Sequence, residues 1–296
     1  MNPTKPFFSI VIPTYNRASF LEENIPSLLQ LSYDAYEIIV VDDGSTDSTE
    51  EVFKKIKHAR LTYFRKENAE RAAARNYGAL RANGDYISFL DSDDILFKDA
   101  LEKAARVIEQ YRQPSFLHLG YEIGTMEKAN KTINGIKDND VQVFVKGNPL
   151  SCMGVFLKRE IFQQHRFNED RNLSASEDWE FWIRIAAHYG LRTNASIVGR
   201  LIEHDNRSVV KANEEKLVQR KNLAMKYAFE DKAVQQVFAT QKKSITAYWD
   251  TYVSLHLAID GLKSRAIHHL FQGLKNDFRC LFTKRGLVIL KLLLFP

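Results

Sequence analysis

Four short apolar runs, each followed by a stretch of helical spacing, constrain this chain more than any other feature. "FFSIVIP", "YEIIVVDDGS", "LTYF" and "DYISFL" are rich in β-branched and aromatic residues. Runs that stay apolar at successive positions belong to strands covered on both faces. Between them the apolar residues return at helical intervals. Phe20, Leu21, Ile25, Leu28 and Leu29 follow the first run, and Val52, Phe53 and Ile56 the second. Asp47, with Glu50 three positions on, has the pattern of a helix N-cap. "AERAAARNYGALRANG" is an alanine-rich helix that Asn83 and Gly84 end, and a further helix is expected from about Lys98 to Tyr111. Strand alternating with helix predicts a parallel sheet with helices on both faces.

The middle of the chain is less regular. "SFLHLGYEI", "VQVFV" and "CMGVFLK" read as strands, mostly of alternating polarity, so partly antiparallel additions to the sheet are expected. "NKTINGIKDND" reads as a loop. "SEDWEFWIRIAAHYG" is a helix, with Trp179, Trp182, Ile183 and Ile185 or Ala186 on its apolar face and Gly190 at its end. Glu177 and Asp178 stand in its first turn, where the helix dipole favours acids. "SIVGRLIEH" reads as a last strand and "DNRSVVKANEE" as a polar loop. From about Glu214 the pattern is helical to the end.

A chain of 296 residues has room for one large α/β domain and an accessory segment. Cys152 and Cys280 stand far apart without CxxC context, which argues against a disulfide framework or a cysteine metal site and makes a reducing compartment the expectation. The start, "MNPTKPFFSIVIP", lacks the features of a signal peptide, and no run reaches the roughly 20 apolar residues of a membrane-spanning helix. The net charge of +5 is unevenly spread. From Gly261 onward stand Lys263, Arg265, Lys275, Arg279, Lys284, Arg285 and Lys291, with Asp277 the one acid among them. A cationic tail interleaved with "LLLF" suits an anionic membrane surface or an acidic partner. Packing on its own domain or across a homodimer is the alternative.

In open parallel sheets ligands bind beyond the carboxyl ends of the strands. Pro13, Thr14, Tyr15 and Asn16 stand after the first run, Asp42, Asp43, Gly44 and Ser45 after the second. Asp91, Ser92, Asp93 and Asp94 follow the fourth. An aromatic ring, turn backbone and several carboxylates on one edge suit a nucleotide and a divalent cation, Mn or Mg. Hard cations take oxygen ligands, with one or two carboxylates and substrate phosphates sufficing for magnesium-like sites. Acids in solvent-exposed turns are the bland alternative, and two acidic clusters at strand ends weigh against it. The EF-hand, Walker A and G-x-G-x-x-G patterns are absent.

"SIVIPTYNRASFLEENIPSLL", "YEIIVVDDGSTDST", "ERAAARNYGALRANGDYISFLDSDD" and "SEDWEFWIRIA", in that order, resemble the family 2 glycosyltransferases, nucleotide-sugar enzymes of the GT-A fold. The resemblance runs from about Phe7 to Ser208. It implies a mixed, mainly parallel α/β sheet flanked by helices. It also implies a catalytic domain at 1–213, with a nucleotide-binding part at 1–112 and an acceptor part at 113–213, before a helical C-terminal extension at 214–296. Residue by residue, it puts Pro13, Thr14 and Tyr15 around the nucleotide base and makes Asp43 the acceptor of a base hydrogen bond, with Asp42 supporting the turn. Arg75 contacts the nucleotide, while Arg71, one turn earlier, reads as a solvated helix charge. Asp91 stands near the ribose and the metal, Ser92 is counted among the residues that bind the nucleotide sugar, Asp93 is the direct metal ligand and Asp94 a helix-side or more distant acid. Asp178 resembles the catalytic base and Glu177 a residue that orients the acceptor or the base. His204, with Ser208 after it, resembles a metal or diphosphate ligand. The polar composition of the stretch after His204 suits a flap over the donor.

The activity so implied is inverting, metal-dependent transfer from a nucleoside-diphosphate sugar, with UDP as the prior. The acceptor is a saccharide or lipid-linked saccharide, as in surface polysaccharide synthesis. The expected setting is the cytoplasm or the inner face of the cell membrane, with no nucleic acid partner. Two rivals stand beside it. A haloacid-dehalogenase-like phosphohydrolase also begins with an apolar strand ending in Asp-x-Asp, but close to its N-terminus. A non-catalytic nucleotide-sugar-binding subunit would share the donor site.

Overall fold

The structure, a computed structural model, describes residues 5–203 and 213–294. It divides into two compact units, neither contiguous in sequence. The first takes the described residues of 1–140, 150–171 and 189–205, the second those of 141–149, 172–188 and 206–296.

The first unit is built on β1 (Phe8–Thr14), α1 (Ala18–Leu28), β2 (Tyr36–Asp42), α2 (Thr49–Lys55), β3 (Leu61–Arg65), α3 (Glu70–Ala79), β4 (Tyr86–Phe89), β5 (Ile95–Leu96), α4 (Ala100–Gln110), β6 (Phe116–Gly124), β7 (Ala129–Ile133), β8 (Val155–Lys158) and α5 (Arg159–Gln164). After α6 (Glu177–Tyr189) the chain returns to it as β9 (Arg192–Ile202). The nine strands form one sheet in the order β3-β2-β1-β4-β8-β6-β9-β5, with β7 beside β6. β1 runs parallel to β2 and β4, β2 to β3, and β6 to β9. β8 is antiparallel to both β4 and β6, and β5 and β7 are antiparallel additions. The fold is thus α/β with a mixed sheet, as expected.

Every residue of β1 and β4 is buried, which is why those runs never alternate. Ile10, Ile12, Ile38 and Val40 join Leu101, Ala104, Val107 and Ile108 of α4 in one core. Thr14 pairs with Asp42, so β1 and β2 end level and their loops leave the same edge.

Gly84 is fixed by close approach. An added Cβ would lie 2.6 Å from the Ser9 nitrogen and 2.9 Å from the Phe7 carbonyl oxygen, and the Gly84 amide donates to Ser9 Oγ at 2.8 Å. Backbone has little room to yield, so Gly84→Ala is expected to cost about 2–3 kcal/mol. The check is a lower urea midpoint at unchanged m-value.

Local readings need correction in four places. "VQVFV" is a 3₁₀ helix, Val141–Lys146, with Phe144 its buried residue. "CMG" is also a 3₁₀ turn, and the strand begins only at Val155. "NKTI" pairs with β6 as an exposed edge strand instead of looping. The Asp47 side chain accepts from the Thr49 amide at 3.0 Å and the Ala18 amide at 3.1 Å, so it joins the starts of α1 and α2 and does not form the expected box with Glu50.

The second unit holds α6 up to His188, α7 (Glu214–Glu230), α8 (Lys232–Phe238), α9 (Lys242–Ile259), α10 (Lys263–Asn276) and α11 (Lys284–Leu294). Leu217 of α7, Val253, Leu257 and Ala258 of α9 and Ala266 of α10 form a buried cluster. Trp179 of α6 meets Trp249 of α9 edge-on, with ring centroids 5.3 Å apart. Its indole donates to the Phe144 carbonyl at 3.1 Å. Burying large aromatics with a satisfied N–H explains why α6 and residues 141–149 fall with the carboxyl-terminal helices.

Candidate active site

The loops after β1 and β2 are stitched together. The Asp43 amide donates to the Thr14 carbonyl at 2.8 Å, the Asn16 amide to Ser45 Oγ at 2.8 Å, and the Thr46 amide to Asn16 Oδ1 at 2.8 Å. Gly44 takes φ +80, and an added Cβ would stand 3.1 Å from the Asn68 nitrogen, so the "DDG" turn needs glycine twice over. Asp42 is fully buried and accepts from Tyr63 Oη at 2.6 Å and the Ser45 amide at 2.8 Å. Its carboxylate braces the turn. Burial, and after it the hydrogen bond to this carboxylate, pushes the Tyr63 hydroxyl well above the usual phenol range. Asp43 accepts from Lys66 Nζ at 2.8 Å and from the Ala69 amide at 3.0 Å. Its carboxylate thereby holds the start of α3, and Asn68 Nδ2 donates to its carbonyl at 3.0 Å. Pro13 is buried in β1. Thr14 Oγ1 is buried and has no hydrogen-bond partner among the described residues. Tyr15 is 47% exposed at the strand mouth.

The acids after β4 occupy three different environments. Asp91 accepts from the Arg75 guanidinium at 2.7 Å; the arginine side chain is 2% exposed and the aspartate 33%. The guanidinium also lies over the Phe167 ring, 5.4 Å from its centroid. Asp93 stands 3.7 Å from the Arg17 guanidinium, with both side chains partly exposed. Asp94 is buried and accepts from the Ile202 amide at 3.0 Å, which ties the end of β9 to this loop. Ser92 is buried too, and its carbonyl and that of Asp94 accept from Asn24 Nδ2 of α1 at 2.8 and 3.2 Å. Pro13, Thr14, Tyr15, Asp42, Asp43, Arg75, Asp91, Ser92 and Asp93 therefore all belong to the first unit. Arg71 lies half-buried on α3.

Glu177 and Asp178 belong to the second unit. Asp178 is half-buried; its Oδ2 accepts from Asn148 Nδ2 at 2.8 Å and its Oδ1 from the Trp179 amide at 2.7 Å. Glu177 is buried. One turn on, Glu180 is buried against Arg184 at 2.6 Å, and burial raises its pKa in spite of the arginine. His204 and Ser208 lie outside the described residues.

Three asparagines went unnoticed in the sequence. Asn24 holds the acidic loop, and Asn148 holds Asp178. Asn76, directly after Arg75, donates to the Phe167 carbonyl at 2.9 Å and accepts from the Phe167 amide at 3.0 Å. It thereby fixes the segment whose ring covers Arg75. The sequence held a signal only for Asn76, through its place in "ARN".

Among the described residues no group of three or more His, Cys, Asp and Glu side chains is arranged to hold a metal ion. A cleft of about 780 Å³ does exist in the first unit, lined by Lys5, Tyr33, Asp85, Arg106, Lys158 and Glu160 among others. It borders the starts of β1 and β4, the sheet edge opposite the acids.

The profile of "Glycosyl transferase family 2" matches residues 9–166. An uncharacterized glycosyltransferase of Haemophilus influenzae is 36% identical over 183 residues, which are 60% of this chain and 71% of that protein. A putative teichuronic acid biosynthesis glycosyltransferase of Bacillus subtilis is 30% identical, over 62% of this chain and 74% of its own. The chain spans only 31% of the length of an uncharacterized glycosyltransferase of Rickettsia conorii, to which it is 36% identical. Among solved structures, S. aureus TarS 1-349 in complex with UDP-GlcNAc superposes with a TM-score of 0.64 at 17% identity, covering 94% of this chain and 91% of that one. The mannosyltransferase PcManGT from Pyrobaculum calidifontis, in complex with GDP-Man and Mn2+, gives 0.63 at 17%, covering 98% and 86%. At such identities the likeness speaks for the fold. The profile takes in more than half of the chain and includes the strands that carry Thr14, Asp42 and Asp91 to one edge, so this chain belongs to glycosyltransferase family 2, with a GT-A type fold.

Proposed function

We propose that this chain transfers a sugar, with inversion, from a nucleoside-diphosphate sugar to a hydroxyl of a saccharide or lipid-linked saccharide. The observation that carries this reading is the sheet edge on which Thr14, the "DDG" turn, the Arg75–Asp91 pair and Asp93 come together. Family membership replaces the phosphohydrolase reading of "DSDD". UDP is the favoured carrier, supported by the UDP-GlcNAc complex of the TarS structure, while the GDP-Man complex of the mannosyltransferase keeps guanosine donors in the test. The teichuronic acid relative supports an acceptor in surface polysaccharide synthesis. Cys152 and Cys280 are buried and form no disulfide among the described residues, which fits a reducing cytoplasmic setting.

A divalent cation fits the donor set. The carboxylates after β4 are hard oxygen ligands, and those of Asp91 and Asp93 are partly exposed. Asp93 would hold the ion, with His204 as a candidate partner, and diphosphate oxygens and water would complete the shell. When bound, such an ion supplies positive charge against the leaving nucleoside diphosphate.

The remaining chemistry belongs to the chain's own residues. Thr14 Oγ1, buried without a partner, is a hydrogen-bonding group kept for the nucleotide. Arg75 fixes the Asp91 carboxylate at the ribose side. The Asp178 carboxylate takes the proton of the acceptor hydroxyl as its oxygen attacks the anomeric carbon. The bond from that carbon to the phosphate oxygen breaks, and the diphosphate leaves with the electron pair. Holding the two substrates in line supplies much of the rate.

A thermal-shift panel of UDP-, GDP- and dTDP-sugars, with and without Mn2+, tests the reading, followed by a search for the released nucleoside diphosphate with saccharide acceptors. One donor is expected to raise the midpoint more with Mn2+ than without. Binding with no hydrolysis or transfer to any acceptor would favour the non-catalytic subunit, and no binding would overturn the donor site.

A further inference from the structure

We propose that the surface of α10, α11 and the turn between them docks on an anionic lipid bilayer, lying in its interface. α10 buries Ala266, His269, Leu270 and Gly273 against its own unit. The opposite side carries Lys263, Ile267, Phe271 and Lys275, four apart each time and all exposed. They form one slanted row with a lysine at either end. α11 repeats the device. Gly286 and Ile289 are buried, while Lys284, Leu287, Val288, Lys291 and Leu294 share the exposed face. The 3₁₀ turn between the helices, Phe278–Phe282, buries Cys280 and turns out Phe278, 66% exposed, and Phe282, 73% exposed.

Large apolar side chains set singly on a surface need no explanation. A run of them on adjoining elements, each stripe edged by lysine, does. Lysine can lay its alkyl stem along apolar surroundings while its ammonium stays at the headgroup level. The local charges single out the occupant. Arg265 is paired with Glu214 at 3.3 Å and Arg279 with Asp277 at 2.8 Å. Arg285 is turned inward onto the Tyr248 ring. Lys263, Lys275, Lys284 and Lys291 make no ion pair among the described residues, and Asp277, the one acid from Gly261 onward, is taken up by Arg279. Two copies meeting through this face would set lysine against lysine, whereas an anionic bilayer offers both the apolar depth and the opposite charge. No described helix is long and apolar enough to cross a membrane. The face would lie on the bilayer and not span it.

The test is flotation of the full chain with vesicles of phosphatidylcholine alone and of phosphatidylcholine mixed with phosphatidylglycerol. Two double variants accompany it: Phe278→Ser with Phe282→Ser, and Lys284→Glu with Lys291→Glu. All four side chains are exposed, so thermal midpoints should hold within about 2 °C. The unaltered chain is expected to float with the mixed vesicles and to release as salt rises, and each double variant to lose at least about tenfold in partitioning. Failure to bind mixed vesicles overturns the proposal, as does equal partitioning by wild type and both variants. Light scattering provides the remaining arm: a dimer in solution that the phenylalanine variant dissociates would assign the face to a second copy.

Discussion

Asp178→Asn is expected to lower sugar transfer by about 10²–10⁴-fold, the usual contribution of a positioned base, while nucleotide affinity stays within about twofold of wild type. The substitution keeps the shape of the side chain. The amide oxygen can still accept from the Trp179 amide, which now meets Oδ1 at 2.7 Å. Asn148 can turn its own amide to accept where Nδ2 now donates at 2.8 Å, so the cost in stability should be below about 1 kcal/mol. Loss of rate with intact donor binding separates a base from a helix-start acid whose work is electrostatic alone. Asn148→Ala supplies a graded comparison. It removes the donor to Asp178 but not the carboxylate, so the rate should fall far less. Single-turnover transfer with saturating donor, beside calorimetric binding of the donor's nucleoside diphosphate, measures both. Turnover of Asp178→Asn near the wild-type rate would dismiss the assignment.

What could be read in the sequence follows from how each element is buried. β1, β2 and β4 are covered on both faces, so their composition had to be continuously apolar, and they announced themselves. Long helices with one packed face, such as α4 and α6, were equally visible. β7 was not, because four of its five residues are exposed and an edge strand held by backbone pairing needs no apolar pattern. "VQVFV" misled for the opposite reason. Its alternation is that of a strand, yet it curls into a 3₁₀ turn because Phe144 alone is drawn inward and its carbonyl caps the Trp179 indole. That indole lies in α6, over thirty residues downstream, and spacing cannot report such a partner.

The candidate site divides in the same way. Carboxylates at strand ends could be found because β-sheet geometry decides where strand ends go. Which of those carboxylates work inside the protein could not, since Asp42, Asp43 and Asp94 differ from Asp93 only in their neighbours. The buried Tyr63 hydroxyl claims Asp42, Lys66 and the Ala69 amide claim Asp43, and the Ile202 amide claims Asp94. Asn24, Asn76 and Asn148 escaped altogether. A single amide side chain that satisfies distant backbone or carboxylate groups leaves no periodic trace.

That sorting of the acids after β4 yields the other large expected effect. Asp93→Ala should reduce transfer by about 100-fold or more, because it removes the carboxylate expected to hold the cation against the diphosphate. Its thermal midpoint should hardly move, since the side chain is 22% exposed and its contact with Arg17 is a long 3.7 Å. Asp94→Ala should do the reverse. It leaves the Ile202 amide, now 3.0 Å from Oδ1, without its acceptor in a buried setting, at about 1–3 kcal/mol. Asp94→Asn, which keeps that oxygen, should restore most of the loss. Any fall in rate for Asp94→Ala should come through the altered end of β9 and recover in the asparagine variant. Manganese dependence discriminates further. If Asp93 is the ligand, its variant should need far more Mn2+ for the same fraction of its activity, whereas both Asp94 variants should keep the wild-type requirement. Identical Mn2+ curves for wild type and Asp93→Ala would remove the cation from Asp93, and a loss of stability in that variant equal to that of Asp94→Ala would make the two acids structural alike.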